Sequence, residues 1–346
     1  MPFLDALKKS LGLMTGNGSM SNQSCIPLKM SVQLIGSSGA GKTTLDTALR
    51  ACSVGHALES GLLFGESAED PAAAIKRLNR TQDRVRDLQN KGMATTLVSH
   101  AETLVLHEGE QPRIEITINE CVGQALTNPD GSEAFSEQFK KHSQRLAGCD
   151  VIWIYIPVPQ DPGNPGESSE YDVQIANTLL RSALKRHVVN HHRVVVAILL
   201  TQVDAVFGNA DEARQSLDES VLSHLLRPLI NTIRTSAVIG SGAVIPVSAF
   251  GFQNAVVHRI AATPATGVAG DPRRARPGFM SATSLLEKNQ RLRPWNLRAL
   301  LPWTVLQSML LRQVNPHNGQ AAIMKSIALK LREDLDKLEP WVSVIR

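Results

Sequence analysis

Aromatic residues make up only 4 % of this 346-residue chain, and cysteines number four. Cys25, Cys52, Cys121 and Cys149 stand far apart with no CxxC pair. That excludes the usual cysteine-rich zinc sites and a disulfide framework, and it predicts a reducing compartment, the cytoplasm. Long apolar runs are also missing. A membrane-spanning helix needs about 18 consecutive apolar residues, whereas the longest run here, Val194 to Leu200, has the length of a strand. The opening MPFLDALKKSLGLM has neither a long apolar core nor a small-residue cleavage site, so it reads poorly as a signal peptide. Strong net charge is absent as well. The balance is +4, and it sits mainly where Arg273, Arg274, Arg276, Lys288, Arg291 and Arg293 face only Asp271 and Glu287. Phe279 is the one aromatic residue among these basic residues, too few to stack on successive bases, which argues against nucleic acid as a partner.

What is present is an alternation of strand and helix patterns. Phe3, Leu4, Leu7 and Leu11 lie at helical spacing, and a flexible TGNGSMSNQS stretch follows, so residues 1–29 read as an amphipathic helix and linker. Strands are predicted over Met30 to Ile35, Thr96 to Leu106, Arg113 to Asn119, Asp150 to Val158, Arg193 to Leu200 and Ala243 to Val247. The second and third form a hairpin across HEGEQP, while the later ones are nearly continuous apolar runs that fit strands covered on both faces. Helices are predicted at 44–53, 69–91, 132–146, 171–189 and 211–235. The result is a three-layer α/β domain over residues 30–315 with a mainly parallel sheet. Its expected irregularities are a helical insert over about 54–94 and a mobile, basic loop over about 263–293. Two helices close the chain, and residues 316–346 form the C-terminal one. Trp295 and Trp303 are expected on a helix face packed on the sheet, and His187, His191 and His192 in a solvated basic turn.

The chemistry begins at Gly36-Ser37-Ser38-Gly39-Ala40-Gly41-Lys42-Thr43. This satisfies GxxxxGK[ST] between a predicted strand and a predicted helix. Glycines let the backbone wrap phosphates so that successive N–H groups point inward, and the following helix adds its positive end. Lys42 is placed to reach the β- and γ-phosphates and the Thr43 hydroxyl to ligate Mg²⁺, with Thr44 next on the helix. A bound nucleoside triphosphate with Mg²⁺ follows.

Three later segments bear on the base and the reaction. Asn119-Glu120-Cys121-Val122-Gly123-Gln124 ends the third strand, Thr201-Gln202-Val203-Asp204 ends VVVAILL, and Ser248-Ala249-Phe250 follows the last strand. They resemble, in order, the DxxGQ, [NT]KxD and SA[KL] elements of Ras-type proteins, and the set resembles the TRAFAC class of P-loop GTPases across about residues 30–315. The late PWNLRALLPWTVL stretch and the insert resemble bacterial members encoded beside partner genes in conflict or defence-type systems.

The resemblance implies a Ras-like fold and roles for individual residues. Glu120 would hold Mg²⁺ through water, Gly123 would sense the γ-phosphate, and Gln124 would orient the attacking water, making Gln124 and Lys42 the catalytic pair. Asp204 would accept from the guanine edge, with Thr201 and Gln202 beside it and Ser248, Ala249 and Phe250 supporting the guanine carbonyl through backbone N–H groups. Thr95 and Thr96 both stand where a switch threonine closes on Mg²⁺, and the sequence does not choose between them. Two positions depart from the pattern: Glu120 replaces aspartate and Gln202 replaces lysine. The implied function is hydrolysis of GTP to GDP and phosphate, slow or partner-activated, with the nucleotide switching a protein partner. A non-catalytic nucleotide-bound scaffold and an ATP-using P-loop enzyme are the alternatives. No arginine finger is assigned, although Arg77, Arg80 and Arg84 lie in the insert.

Overall fold

Alternating side chains of buried strands divide the core into two layers, one on each side of a single sheet. A computed structural model describes residues 27–37, 40–67, 76, 79–86, 101–119, 144–161, 165–190, 192–217, 219–252, 256–262, 280–286, 293–312 and 319–346. Strand β1 (Leu28–Ile35) runs into the glycine-rich loop, and α1 (Lys42–Ser53) follows it. Next come β2 (Leu62–Glu66), β3 (Ala101–Glu108) and β4 (Gln111–Asn119). Then β5 (Val151–Pro157), α2 (Glu167–Val189), β6 (Val194–Thr201), α3 (Val203–Val206), α4 (Ala210–Ser216) and α5 (Glu219–Thr235) lead to β7 (Ile239–Pro246). A separate antiparallel pair, β8 (Val256–Ala262) and β9 (Met280–Leu286), precedes α6 (Leu300–Leu311), α7 (Gly319–Leu338) and β10 (Ser343–Val344).

The eight-stranded sheet has the order β10-β7-β6-β5-β1-β4-β3-β2. Strands β4, β1, β5, β6 and β7 are mutually parallel, and β2, β3 and β10 add antiparallel edges. Every residue of β6 is buried, as expected of a central parallel strand covered on both faces. Its side chains separate with period two. Val195, Ala197 and Leu199 join Trp153 and Tyr155 in one layer, while Val196, Ile198 and Leu200 join Ile152, Ile154 and Ile156 in the other.

Helices α1, α6 and α7 cover the first layer, and α2 and α5 cover the second. Helix α6 is apolar almost all round, and nine of its 12 residues are buried. A helix of that composition has to lie inside the protein. Its Thr304 accepts a hydrogen bond from the Trp153 indole at 3.2 Å, which fixes it on β5. Helix α7 packs Met324, Ile327, Leu331 and Leu335 into the same core. A polar stripe beside them ties it to the edge of the sheet: Lys330 to Glu108 at 2.5 Å, Asp334 to the Ser60 N–H at 2.9 Å, and Lys337 to Glu59 at 2.7 Å. The C-terminal helix is therefore part of the main core, and β10 beyond it completes the sheet.

Several expectations need correction. Within the span expected as a helical insert, residues 62–66 form strand β2, which extends the sheet, and residues 79–86 are helical. Within the expected basic loop, Met280–Leu286 is strand β9; its Arg273, Arg274, Arg276, Lys288 and Arg291 lie outside the described residues. Residues 1–26 lie outside them as well. Trp303 is on a packed helix face, but Trp295 lies in an extended segment that bridges Ser248 and meets Phe252 edge-on at 5.1 Å. His187 is not solvated. It is fully buried at the end of α2, where its Nε2 donates to the Leu146 carbonyl at 2.8 Å. No helix among the described residues is long and apolar enough to cross a membrane, and Cys52 and Cys149 are free thiols.

An ion cluster sits between α1 and the sheet edge. Arg50, 2 % exposed, reaches Asp46 at 3.1 Å, Glu66 at 3.2 Å and Glu102 at 2.9 Å, and Glu102 also meets Arg84 at 3.3 Å. Nη2 approaches Glu102 without the angle of a hydrogen bond, so that contact is ionic. Burial by itself would lower the Arg50 pKa, but the charges of Asp46, Glu102 and Glu66 together raise it, so the guanidinium stays charged. Burial raises Glu66 despite Arg50 beside it.

Replacing Arg50 with Met would leave three carboxylates without their shared cation, and a loss of about 3 kcal/mol is expected in urea unfolding. Unchanged stability would show that the cluster contributes nothing. His187 makes a second prediction. Burial lowers its pKa, so the unfolded chain binds the proton more readily. Stability is then lost as pH falls below the ordinary imidazole value of about 6.5 and is fully present above it. Unfolding at pH 5 and pH 7.5 should show this difference, and His187→Gln should reduce it, leaving the part that His56 and His107 contribute in the same direction.

Candidate nucleotide site

All five parallel strands end on one edge of the sheet. From β1 the chain goes to β4 on one side and then to β5, β6 and β7 on the other. The order therefore reverses at β1, and the crevice beyond the carboxyl ends of strands at such a point is where open α/β sheets bind ligands. The glycine-rich loop leaves β1 there. A Cβ on Gly36 would stand 2.9 Å from Tyr155 Cβ and 3.2 Å from the Tyr155 carbonyl, so the loop can cross the end of β5 this closely only with glycine. Gly41, at φ 79°, makes the left-handed turn into α1.

The first turn of α1 has no acidic residue, and no side chain caps it. Its amide groups and the positive end of the helix thus face the loop with no carboxylate or side-chain cap, an arrangement suited to an anion. Lys42 is buried at the head of the helix, and its Nζ donates to the carbonyls of Gly36 at 2.7 Å and Ser37 at 2.6 Å. Thr43 and Thr44 follow, half-buried, and the Thr43 carbonyl accepts from the Thr47 hydroxyl at 2.9 Å. Ser38 and Gly39 lie outside the described residues.

The end of β6 is joined directly to the loop. Thr201 is buried and donates its hydroxyl to the Ala40 carbonyl at 2.9 Å, so its side chain ties the glycine-rich loop to β6. Gln202 is exposed and takes a left-handed conformation at φ 60°, which starts α3 and places Asp204 in that helix's first turn. At the end of β7, Ser248 is buried, and its N–H donates to the Trp295 carbonyl at 3.1 Å, so of the three amides expected to face a base this one is engaged. The Ser248 hydroxyl accepts from the Gly251 N–H at 2.7 Å, and Ala249 and Phe250 are buried beside it.

Glu120, Gly123, Gln124, Thr95 and Thr96 lie outside the described residues. Of the expected magnesium ligands, Thr43 is described; it follows Lys42 at the start of α1. Among the described residues no cluster of three or more His, Cys, Asp or Glu could hold a metal by itself. Of the three arginines noted in the expected insert, Arg84 is paired with Glu102.

Two contributors escape sequence reasoning. Buried Gln33 on β1 donates to the Asn119 carbonyl at 3.1 Å and so holds the end of β4, immediately before Glu120. A polar residue inside the apolar MSVQLI strand was its only signal. The other is half-buried Asp172 on α2, whose pKa is raised by burial against the opposing influence of Ser37 and Lys42. Nothing in the local sequence distinguishes it from a surface helix residue.

No family model and no curated protein matches the sequence. Among solved structures, the chain is similar to the GTPase-like domain of Ski7 from S. cerevisiae bound to GTP, with 14 % identity over 64 % of this chain and 43 % of that one and a TM-score of 0.36. The same domain bound to GDP and inorganic phosphate matches at 15 % identity over 74 % and 48 %, with a TM-score of 0.34. A mutation variant of SsGBP matches at 15 % identity over 64 % and 49 %, with a TM-score of 0.31. The chain spans less than half the length of each. At these scores the likeness carries no argument about activity.

Thr201→Val keeps the shape of the side chain and removes the hydroxyl that holds Ala40. The carbonyl would lose one buried hydrogen bond, and a stability loss of about 1–2 kcal/mol is expected. Nucleoside triphosphate binding should weaken with it. A variant as stable as the parent, with the same affinity, would show that this tie does not hold the loop.

Proposed function

We propose that this chain binds GTP with Mg²⁺ at the glycine-rich loop, hydrolyses it to GDP and phosphate, and uses the change to alter its hold on a protein partner. The observation that carries the reading is the loop itself. A buried lysine, a helix start with no acidic residue and a left-handed glycine meet at the topological reversal of a parallel sheet. That combination suits the polyphosphate of a nucleotide. Support for guanine comes from the placing of Asp204 and Ala249 beyond the ends of β6 and β7, on the same sheet edge as the loop.

Lys42 binds and orients the phosphates with its compact positive charge. Thr43, with Glu120 and Thr95 or Thr96, would hold Mg²⁺, which supplies charge neutralisation at the phosphate oxygens. Gln124 orients the water for in-line attack, and Asp204 accepts from the guanine edge. Glu120 and Gln202, longer and uncharged respectively compared with the residues usual in these elements, fit a slow reaction that a partner accelerates.

Titration of the full chain with labelled GTP and ATP tests the base. Preference for GTP is expected, and Asp204→Asn should weaken GTP binding by about tenfold through loss of a charge-assisted pair. Preferential ATP binding would overturn the assignment. Multiple-turnover phosphate release tests the reaction. Gln124→Ala should lower it with GTP affinity retained, whereas equal near-zero rates in both proteins would favour a nucleotide-bound scaffold.

A further inference from the structure

Helix α5 borders a groove of about 740 Å³ at the β7 side of the sheet. Its floor is apolar and comes from Leu200 at the end of β6, Val244 and Pro246 of β7 and Leu226 of α5. Its rim along α5 is polar and cationic: His224, Arg227, Asn231 and Arg234 are all exposed and share one face of the helix. The sequence of α5 has one acidic residue, Glu219, at its first position. The Arg227 and Arg234 side chains form no ion pair or hydrogen bond with another described residue. Trp341 forms a further wall, and it is firmly placed. Asn296 Nδ2 donates to the carbonyls of Trp341 at 2.9 Å and Pro246 at 2.8 Å, and Asn296 Oδ1 accepts from the Trp341 N–H at 3.2 Å. One side chain thus joins wall to floor, so the groove has its shape before anything enters it, which lowers the cost of binding.

At a rise of about 1.5 Å per residue, Arg227 and Arg234 stand about 10 Å apart along α5, with Ile230 between them. A single small anion reaches one of them. Two acidic side chains at positions i and i+7 of a partner helix reach both, and apolar side chains at i+3 and i+4 then face the floor. A sugar-phosphate backbone would leave that floor uncovered. We propose that the groove is a docking site for an acidic amphipathic helix of a protein partner. The inference rests on the part of the proposed function that gives the chain a partner, and it specifies where and by what chemistry that partner is held.

The test is fluorescence anisotropy of the full chain titrated against a labelled, alanine-rich helical peptide with glutamate at i and i+7 and leucine at i+3 and i+4. Saturable binding is expected, and added salt should weaken it because the charged rim is exposed. Arg227→Ala/Arg234→Ala should weaken it about tenfold with thermal melting unchanged. Arg227→Glu/Arg234→Glu should instead prefer the same peptide with lysine in place of glutamate, which separates charge recognition from damage to the fold. Replacing both leucines of the peptide by alanine should abolish saturation, since the floor is then uncovered. No saturable binding to the parent, or equal binding to the parent and the arginine-to-alanine variant, overturns the inference. So does a groove that takes single-stranded oligonucleotide in preference to the peptide. A groove closed by a second copy of this chain, seen as a dimer that the glutamate variant loses, overturns it as well. Labelled GTP titrated into the same protein reads the nucleotide site separately. Peptide binding without GTP binding overturns the nucleotide reading alone, GTP binding without peptide binding overturns the docking site alone, and absence of both overturns both.

Discussion

The close approach of Gly36 to Tyr155 is the contact on which the site depends. With 2.9 Å between the place of a Cβ and the Tyr155 side chain, the loop can leave β1 only over the end of β5 and only without a side chain at its first position. That path brings Ala40 under the Thr201 hydroxyl at the end of β6. It also brings Lys42 back over the carbonyls of Gly36 and Ser37. Strands β5 and β6 thus hold the loop from two sides.

The two-layer core makes that edge rigid. Strands β5 and β6 bury both faces, and their alternate side chains are shared between helices on opposite sides. A shift of one residue in register would exchange the two faces and place Trp153 away from Thr304. The carboxyl ends of the strands are therefore held at constant height relative to one another, and the segments that follow them, 36–41, 201–204 and 247–250, inherit this alignment. Toward the other end of the sheet, Asp150 performs a comparable task. It accepts from the Ser31 N–H at 2.8 Å and pairs with Arg312 at 2.6 Å, joining β1, the start of β5 and the end of α6.

The parts of this architecture with strong local patterns were legible in the amino-acid sequence. Apolar runs such as VVVAILL revealed the central strands, HEGEQP revealed the β3–β4 hairpin, and the glycine-lysine spacing placed the loop between strand and helix. What was hidden depends on contacts distant in the chain. Strand β2 is five residues long and takes its identity from pairing with β3 some 40 residues later. Its neighbourhood reads as helical because alanine, arginine and glutamine dominate the residues after it. Strand β10 has two residues and exists because β7 offers an edge. The buried state of His187 could not be read from KRHVVNHHR, since its partner is a carbonyl at Leu146. Asp172 and Gln33 were missed for the same reason: each is ordinary in its own segment and acquires its role from the element that it meets.

Gln202 shows how such a local departure can be interpreted. A lysine is usual at its position in the resembling element, and the sequence change invites the view that the turn has lost its shape. The backbone shows otherwise. Gln202 occupies the left-handed region at φ 60°, where a residue other than glycine or asparagine costs of order 1 kcal/mol, and it does so while exposed. An exposed residue gains little from burial to offset that cost. The offset comes from its neighbours: Thr201, bonded to Ala40, and Val203, fully buried in the second layer. Both flanks are fixed by packing, so the backbone between them has to turn sharply whatever the side chain is. The turn places Asp204 in the first turn of α3, after the end of β6, whether lysine or glutamine stands at 202. Substitution at this position therefore changes the exposed side chain, while the sheet and the buried flanks retain the turn that starts α3.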